Sequence, residues 1–198
     1  MMSDEGVLFI VEGRTDALII ERLYPNQPKN LIIPVNGREA VLNRLRDPKF
    51  SGGYYIIDGV HGVLDRLRGM SVLNIGLISD NVLKVKVNNA IKYLVTLGDP
   101  SNDFRGSIES LILYLIRGRV NVKGITCCSG FHDKVLLIML VYRLMNDTEV
   151  FFNRERFVNS LFTARVNDEL LINDDVKQRF RRYITGDNAH GLFKNESI

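Results

Sequence analysis

In Val7-Leu8-Phe9-Ile10-Val11-Glu12-Gly13-Arg14-Thr15-Asp16, five apolar residues give way at once to an acid, a glycine and a polar run. A continuous apolar run of that length is what a strand covered on both faces requires. Gly13 permits the turn that follows. Thr15 is then placed to cap a helix, and Asp16 falls in its first turn, where the helix dipole favours an acid. Ile19, Ile20 and Leu23 supply the apolar stripe of that helix.

The same alternation recurs outward from this unit. Leu31 to Val35 reads as a second strand, with Pro34 suited to an unpaired end. Asn36-Gly37 turns the chain, Asn36 and Glu39 have capping-box spacing, and Val41, Leu42 and Leu45 share a helix face. Gly53 to Asp58 reads as a third strand and Asn74 to Ser79 as a fourth. Strand–turn–helix repeats with short connections predict a parallel sheet with helical crossovers. After Asp99-Pro100 the pattern becomes mainly helical. Asp103 is a candidate cap for a helix carrying Ile108, Leu111, Ile112 and Leu115, and Phe131 to Met145 reads as a buried helix. Val122 to Cys128 reads as a fifth strand, and Arg154 to Phe162 and Asp174 to Ile184 as two peripheral helices. The division expected is an α/β domain over residues 1–100 and a helical extension over 101–198.

The bulk composition is that of a soluble globular protein: 198 residues, 45% hydrophobic, 25% charged, net charge +3. A mildly basic balance admits an acidic partner such as nucleic acid without demanding one. Two adjacent cysteines, Cys127 and Cys128, have no zinc spacing and form no disulfide framework, which fits core thiols in a reducing cytoplasm. The acidic start, Met1 to Gly6, is unlike a secretory signal. The longest apolar run, Val135 to Tyr142, falls far short of the ~20 residues of a membrane span. Phosphate-loop, dinucleotide-binding, zinc-protease and nucleophile-elbow signatures are absent.

Ligands of open parallel sheets bind at the carboxyl ends of the strands. Those ends carry Glu12, Gly13, Arg14 and Asp16; then Asn36 and Gly37; then Asp58, Gly59 and His61; then Ser79, Asp80 and Asn81. Acids there suit a hard cation such as Mg2+. Gly13 and Gly37 allow a phosphate to approach the backbone, and Arg14 and Arg38 lie in the turns where they meet it. Asp80-Asn81 has the composition of a plain turn.

Ile10-Val11-Glu12-Gly13-Arg14-Thr15-Asp16 resembles the first motif of toprim domains, found in topoisomerases, bacterial-type primases, ribosomal RNA maturases and the overcoming-lysogenization-defect nucleases. Tyr54 to Asp58, the segment Phe104 to Ile112 and His132-Asp133-Lys134 are similar to later segments of stand-alone members. The resemblance implies an α/β, Rossmann-like parallel four-stranded sheet flanked by helices, with a mainly helical C-terminal part. It implies phosphodiester cleavage of DNA or RNA with Mg2+ or Mn2+. Glu12 would act as general acid/base and, with Asp16, Asp58 and Glu109, as a metal ligand, and Lys134 would stabilise the charged transition state. It leaves room for a homodimer or a protein partner.

The chain departs from the toprim pattern at Val60, where a second aspartate is expected, with His61 one residue beyond. Two rival readings follow. One is a degenerate toprim module that binds nucleic acid or a protein partner without cutting. The other is an unrelated α/β protein holding a small phosphorylated ligand. Lys134, a cation in the first turn of a helix, opposes the dipole, and Asp133 is the nearest compensating charge.

Overall fold

The computed structural model describes residues 6–59, 67, 74–120 and 132–187. Val60, His61, Cys127, Cys128 and the strand expected over 122–128 lie outside them.

The chain opens with β1 (Phe9–Val11), α1 (Arg14–Leu23), β2 (Ile32–Pro34), α2 (Arg38–Arg46) and β3 (Tyr54–Asp58). These follow the expected alternation. β4 (Asn74–Ser79), β5 (Val82–Val87) and β6 (Ala90–Leu97) come next. Among the described residues the sheet has six strands rather than four, in the order β2-β1-β3-β6-β5-β4. β2, β1, β3 and β6 are mutually parallel neighbours, while β5 runs antiparallel between β6 and β4. The fourth parallel position therefore belongs to β6. The segment Asn74–Ser79 is displaced to the far edge by two hairpins, which turn at Asp80-Asn81 and Asn88-Asn89. Asn88 sits at φ +54, the left-handed conformation that tight hairpin turns ask of Asn or Gly.

Alternation along the strands divides the core in two. Ile10, Tyr55, Ile57, Leu83, Val85, Val87 and Leu94 face Val41, Leu42 and Leu45 of α2. Phe9, Val11, Ile56, Val82, Val95 and Leu97 face the opposite way. There they meet α1, α3 (Ile108–Ile116), α4 (Asp133–Met145), α5 (Arg154–Thr163) and α6 (Asp174–Thr185). This larger cluster draws on residues from both sides of residue 100. A minor hairpin, β7 (Arg165–Val166) with β8 (Glu169–Leu170), links α5 to α6.

The last two helices are not peripheral. Phe157, Val158 and Leu161 of α5 and Phe180, Tyr183 and Ile184 of α6 are buried. Each apolar side chain so buried is worth roughly 1.5–3 kcal/mol relative to exposure. The Tyr183 hydroxyl donates to the Gly98 carbonyl at 3.2 Å, and the Asn81 amide donates to the Tyr183 carbonyl at 3.0 Å. These bonds fix α6 against the end of β6. On the other face Lys92, fully buried, donates to the Leu45 and Asp47 carbonyls at 2.7 and 2.6 Å. It closes the C-terminus of α2, where a cation is favoured.

The helix starts differ in detail from the sequence reading. α1 is capped by Gly13, with the Gly13 N–H donating to Asp16 Oδ2 at 2.9 Å, and Thr15 is buried in the first turn. α2 starts after Gly37 with no side-chain cap, so Asn36 and Glu39 form no box. α3 is entered from Ser107, whose N–H donates to Ser110 Oγ, rather than from Asp103.

Candidate functional site

One cleft of about 920 Å³ lies at the carboxyl ends of β1, β2 and β3. Its wall is built from chain segments that leave a strand or enter a helix. β1 delivers Glu12, β2 delivers Asn36, and β3 delivers Asp58. The first turns of five helices also reach it, through Asp16 on α1, Arg38 on α2, Glu109 on α3, Lys134 on α4 and Arg154 on α5. Helix N-termini carry partial positive charge and unpaired N–H groups, so the cleft has an intrinsic preference for anions.

Every expected site residue lines this cleft: Glu12, Gly13, Arg14, Asp16, Gly37, Arg38, Asp58, Glu109 and Lys134. Ser79 and Asp80 do not line it, because β4 ends at the far edge of the sheet. Asp80 serves the turn expected of it.

Glu12 is held at the centre. Its Oε1 accepts the Asp58 backbone N–H at 2.9 Å and lies 3.6 Å from Arg38 Nε. Its own carbonyl accepts the Gly37 N–H at 3.0 Å. Gly37 adopts φ +85, a conformation costly for side-chain-bearing residues, and nothing would obstruct a Cβ there. Glycine is needed at that turn for its backbone angles. At 3.6 Å, Arg38 Nε makes no hydrogen bond to Glu12, and among the described residues this buried nitrogen has no other hydrogen-bond partner.

Glu109 reaches the cleft because of a close crossing. The N–H of Gly59, just after β3, donates to the Gly106 carbonyl at 2.9 Å, and the Gly106 N–H returns a bond to Gly59 at 3.3 Å. A Cβ on Gly59 would fall 1.7 Å from the Phe104 carbonyl oxygen. Only glycine lets the loop pass, and the loop brings the start of α3 to Asp58. Glu109 is buried, with Lys134 Nζ 3.8 Å from its Oε1. Lys134 is therefore compensated by Glu109 rather than by its neighbour. Asp133 instead accepts the Ser110 hydroxyl and ties α4 to α3.

Two of the four acids, Asp16 and Asp58, are shifted by burial and by their charged neighbours. Burial, then the charges of Glu109 and Glu12, push the Asp16 carboxyl up to about 7, against a lowering by the Gly13 N–H. Burial, then Glu12, Asp16 and Glu109, push Asp58 up to about 7, with Arg38 opposing. Crowded, half-desolvated acids hold protons near neutrality unless a cation takes the protons' place. Among the described residues no three His, Cys, Asp or Glu side chains form a preformed metal cage. Mg2+ does not require one, since it binds through one or two carboxylates, waters and substrate phosphates. Asp16, Asp58, Glu109 and Glu12 are oxygen donors of the right class.

Sequence reasoning passed over Arg154, Ser107 and Ser110, which also line the cleft. Arg154 opens a helix expected to be peripheral, and only the packing of α5 on α1 brings it round. Arg14 marks that packing, with its guanidinium 3.7 Å from Glu155.

No protein-family model, curated protein or solved structure matches the chain. Among the described residues no helix is long and apolar enough to cross a membrane.

Proposed function

We propose that the chain is a small toprim-like phosphodiesterase that cleaves DNA or RNA with the help of Mg2+ or Mn2+. The observation that carries this reading is the meeting of four carboxylates, two of them raised to about 7, with cations and helix N-termini in one cleft. A phosphodiester needs both halves: positive charge to seat its oxygens, and acids to hold a cation and move a proton. The finer reading of the sheet, a Rossmann-like toprim core, rests on the parallel run β2-β1-β3-β6 and the Glu12-Gly13 strand end. A cytoplasmic location is proposed from the paired thiols of the sequence and its lack of a long apolar run.

Asp58, Asp16 and Glu109 would hold the cation, with Glu12 bordering it. When bound, it supplies Lewis acidity toward a phosphate oxygen. The protein's own groups do the rest. The Arg38 guanidinium and the uncapped N-terminus of α2 offer donors to phosphate oxygens, which would satisfy the Arg38 Nε that donates to no hydrogen-bond partner among the described residues. Gly13 and Gly37 keep the turns open for that approach. Arg14 lies on the rim, half exposed. Glu12, fixed by the Asp58 N–H, is positioned to accept or return a proton at its carboxylate. Lys134, half exposed beside Glu109, places positive charge where the leaving oxygen develops negative charge.

The deciding assay is cleavage of supercoiled plasmid and of single-stranded RNA with Mg2+ or Mn2+, comparing the wild type with Glu12→Gln. Cleavage by the wild type alone supports the reading, and equal cleavage by both sinks it. A second reading is favoured by Val60 standing where an acid is expected. On that reading the cleft binds nucleic acid or a protein partner without cutting. Binding with no cleavage by the wild type selects it.

A further inference from the structure

Glu109 and Ser110 are neighbours in the first turn of α3, and Asp133 and Lys134 are neighbours in the first turn of α4. Across the gap between the two helices they meet in two contacts side by side. The Ser110 hydroxyl donates to Asp133 Oδ2, and Lys134 Nζ lies 3.8 Å from Glu109 Oε1. The two contacts differ in kind. The first is a hydrogen bond between short side chains, shielded from water at its Ser110 end, where the residue is 3% exposed. The second is an ion pair beyond hydrogen-bond distance, and its lysine is half exposed on a flexible four-carbon stem. Of the two, only the short, directional contact can fix a position.

The Ser110 hydroxyl is itself held in orientation. The Ser107 N–H donates to its oxygen at 2.9 Å, which leaves the hydroxyl hydrogen to point at Asp133. Asp133 opens α4, where the helix dipole favours its charge, and a charged acceptor makes the stronger bond. Behind these turns, Leu111 and Leu115 of α3 and Leu137 and Val141 of α4 belong to one apolar cluster. Apolar burial is non-directional, so it does not by itself set how the two first turns face each other. Glu109 nevertheless needs a counter-charge in a fixed place, because a buried acid that loses its partner is costly. The Ser110–Asp133 bond lies one residue from each member of that ion pair.

We infer that Ser110 and Asp133 are positioning residues: their hydrogen bond locks the starts of α3 and α4 together and so holds the Lys134 ammonium against Glu109 at the cleft wall. The catalytic consequence of that placement rests on the proposed phosphodiesterase reading; the placement itself does not.

The test uses the full-length chain, metal-free, with isotopically labelled methyl groups added to its lysines so that each gives its own NMR signal. Lys134→Arg assigns the Lys134 signal, and Glu109→Gln marks where it falls without the ion pair. Ser110→Ala and Asp133→Ala should each move it toward the Glu109→Gln position while the other lysine signals stay. Asp133→Asn, which keeps an acceptor for the hydroxyl, should restore the wild-type position. The double variant Ser110→Ala/Asp133→Ala should move the signal no further than either change alone. If one alanine variant does not fold, the other carries the same test. A Lys134 signal unmoved by loss of the bond overturns the inference, and so does an Asp133→Asn protein that behaves like Asp133→Ala. In the cleavage assay with Mn2+, Ser110→Ala should lower kcat by about 10- to 100-fold with KM little changed, the pattern of a displaced group that acts in the transition state. A displaced signal with unchanged kcat overturns the catalytic consequence alone. A wild type that cleaves nothing overturns the proposed function, and the NMR result then decides the placement by itself.

Discussion

The backbone N–H of Asp58 donates to the side chain of Glu12 across 2.9 Å, so two adjacent strand ends are joined by one of the acids of the cleft. Glu12 is thus both a chemical group and a brace. Glu12→Gln keeps an oxygen acceptor for that N–H and removes the charge. It should leave the urea midpoint close to wild type while lowering cleavage by about 100-fold or more, the usual scale of a lost acid/base. Glu12→Ala should also lower stability by about 1–3 kcal/mol, because it leaves a half-buried N–H unpaired. Equilibrium unfolding of the two variants separates the roles.

Asp16 and Asp58 make stability depend on pH in an unusual direction for carboxylates. Their folded pKa values, raised to about 7, lie above the ordinary 3.8. Between about pH 4 and about pH 7 the folded chain holds protons that the unfolded chain has lost. Stability from these groups is therefore full below about pH 4 and falls as pH rises through about 7. The pH dependence of the melting temperature should flatten over that window in Asp58→Asn and Asp16→Asn, once compared with wild type under metal-free conditions.

Added Mn2+ or Mg2+ should raise the melting temperature, and more at about pH 8 than at about pH 5, since protons and metal compete for the same oxygens. Asp58→Asn should remove most of that shift. A metal-induced shift of equal size in the variant would place the binding elsewhere.

Arg38→Ala should weaken binding of every nucleic-acid sequence alike and reduce the slope of log affinity against log salt by about 1. Arg38→Lys should keep the slope but recover only part of the affinity, because lysine has no counterpart of the buried Nε. Titrations at several salt concentrations read both quantities.

Gly59→Ala should cost about 3 kcal/mol or more, or shift the start of α3, because the new methyl would meet the Phe104 carbonyl oxygen at 1.7 Å. Denaturant unfolding measures the cost, and loss of metal response in any variant that still folds would report displacement of Glu109.

The acids at the strand ends were legible because each directly follows an apolar run, and the chain direction places such ends on one edge of a parallel sheet. That logic found Glu12 and Asp58. It failed for the fourth parallel strand. Asn74–Ser79 has strand composition, but β5 and β6 pair by hairpins and claim the place beside β3. Val82–Val87 in fact alternates as a strand does, with Lys84 and Lys86 exposed between buried valines. Asn88-Asn89 supplied the turn signal. Glu109 and Lys134 entered through family likeness, since no local pattern joins them. Their meeting depends on the Gly59–Gly106 crossing, a contact between residues far apart in sequence. Arg154 had no local signal at all.

Five helices present only their first turns to the cleft while their bodies are anchored in the core. Each contributes one to three residues, most of which can be exchanged with little disturbance of the packing behind them. Chemistry and scaffold are in that sense separately editable. Drift at these few positions could retune the preferred ligand, or silence turnover altogether, while the architecture persists unchanged.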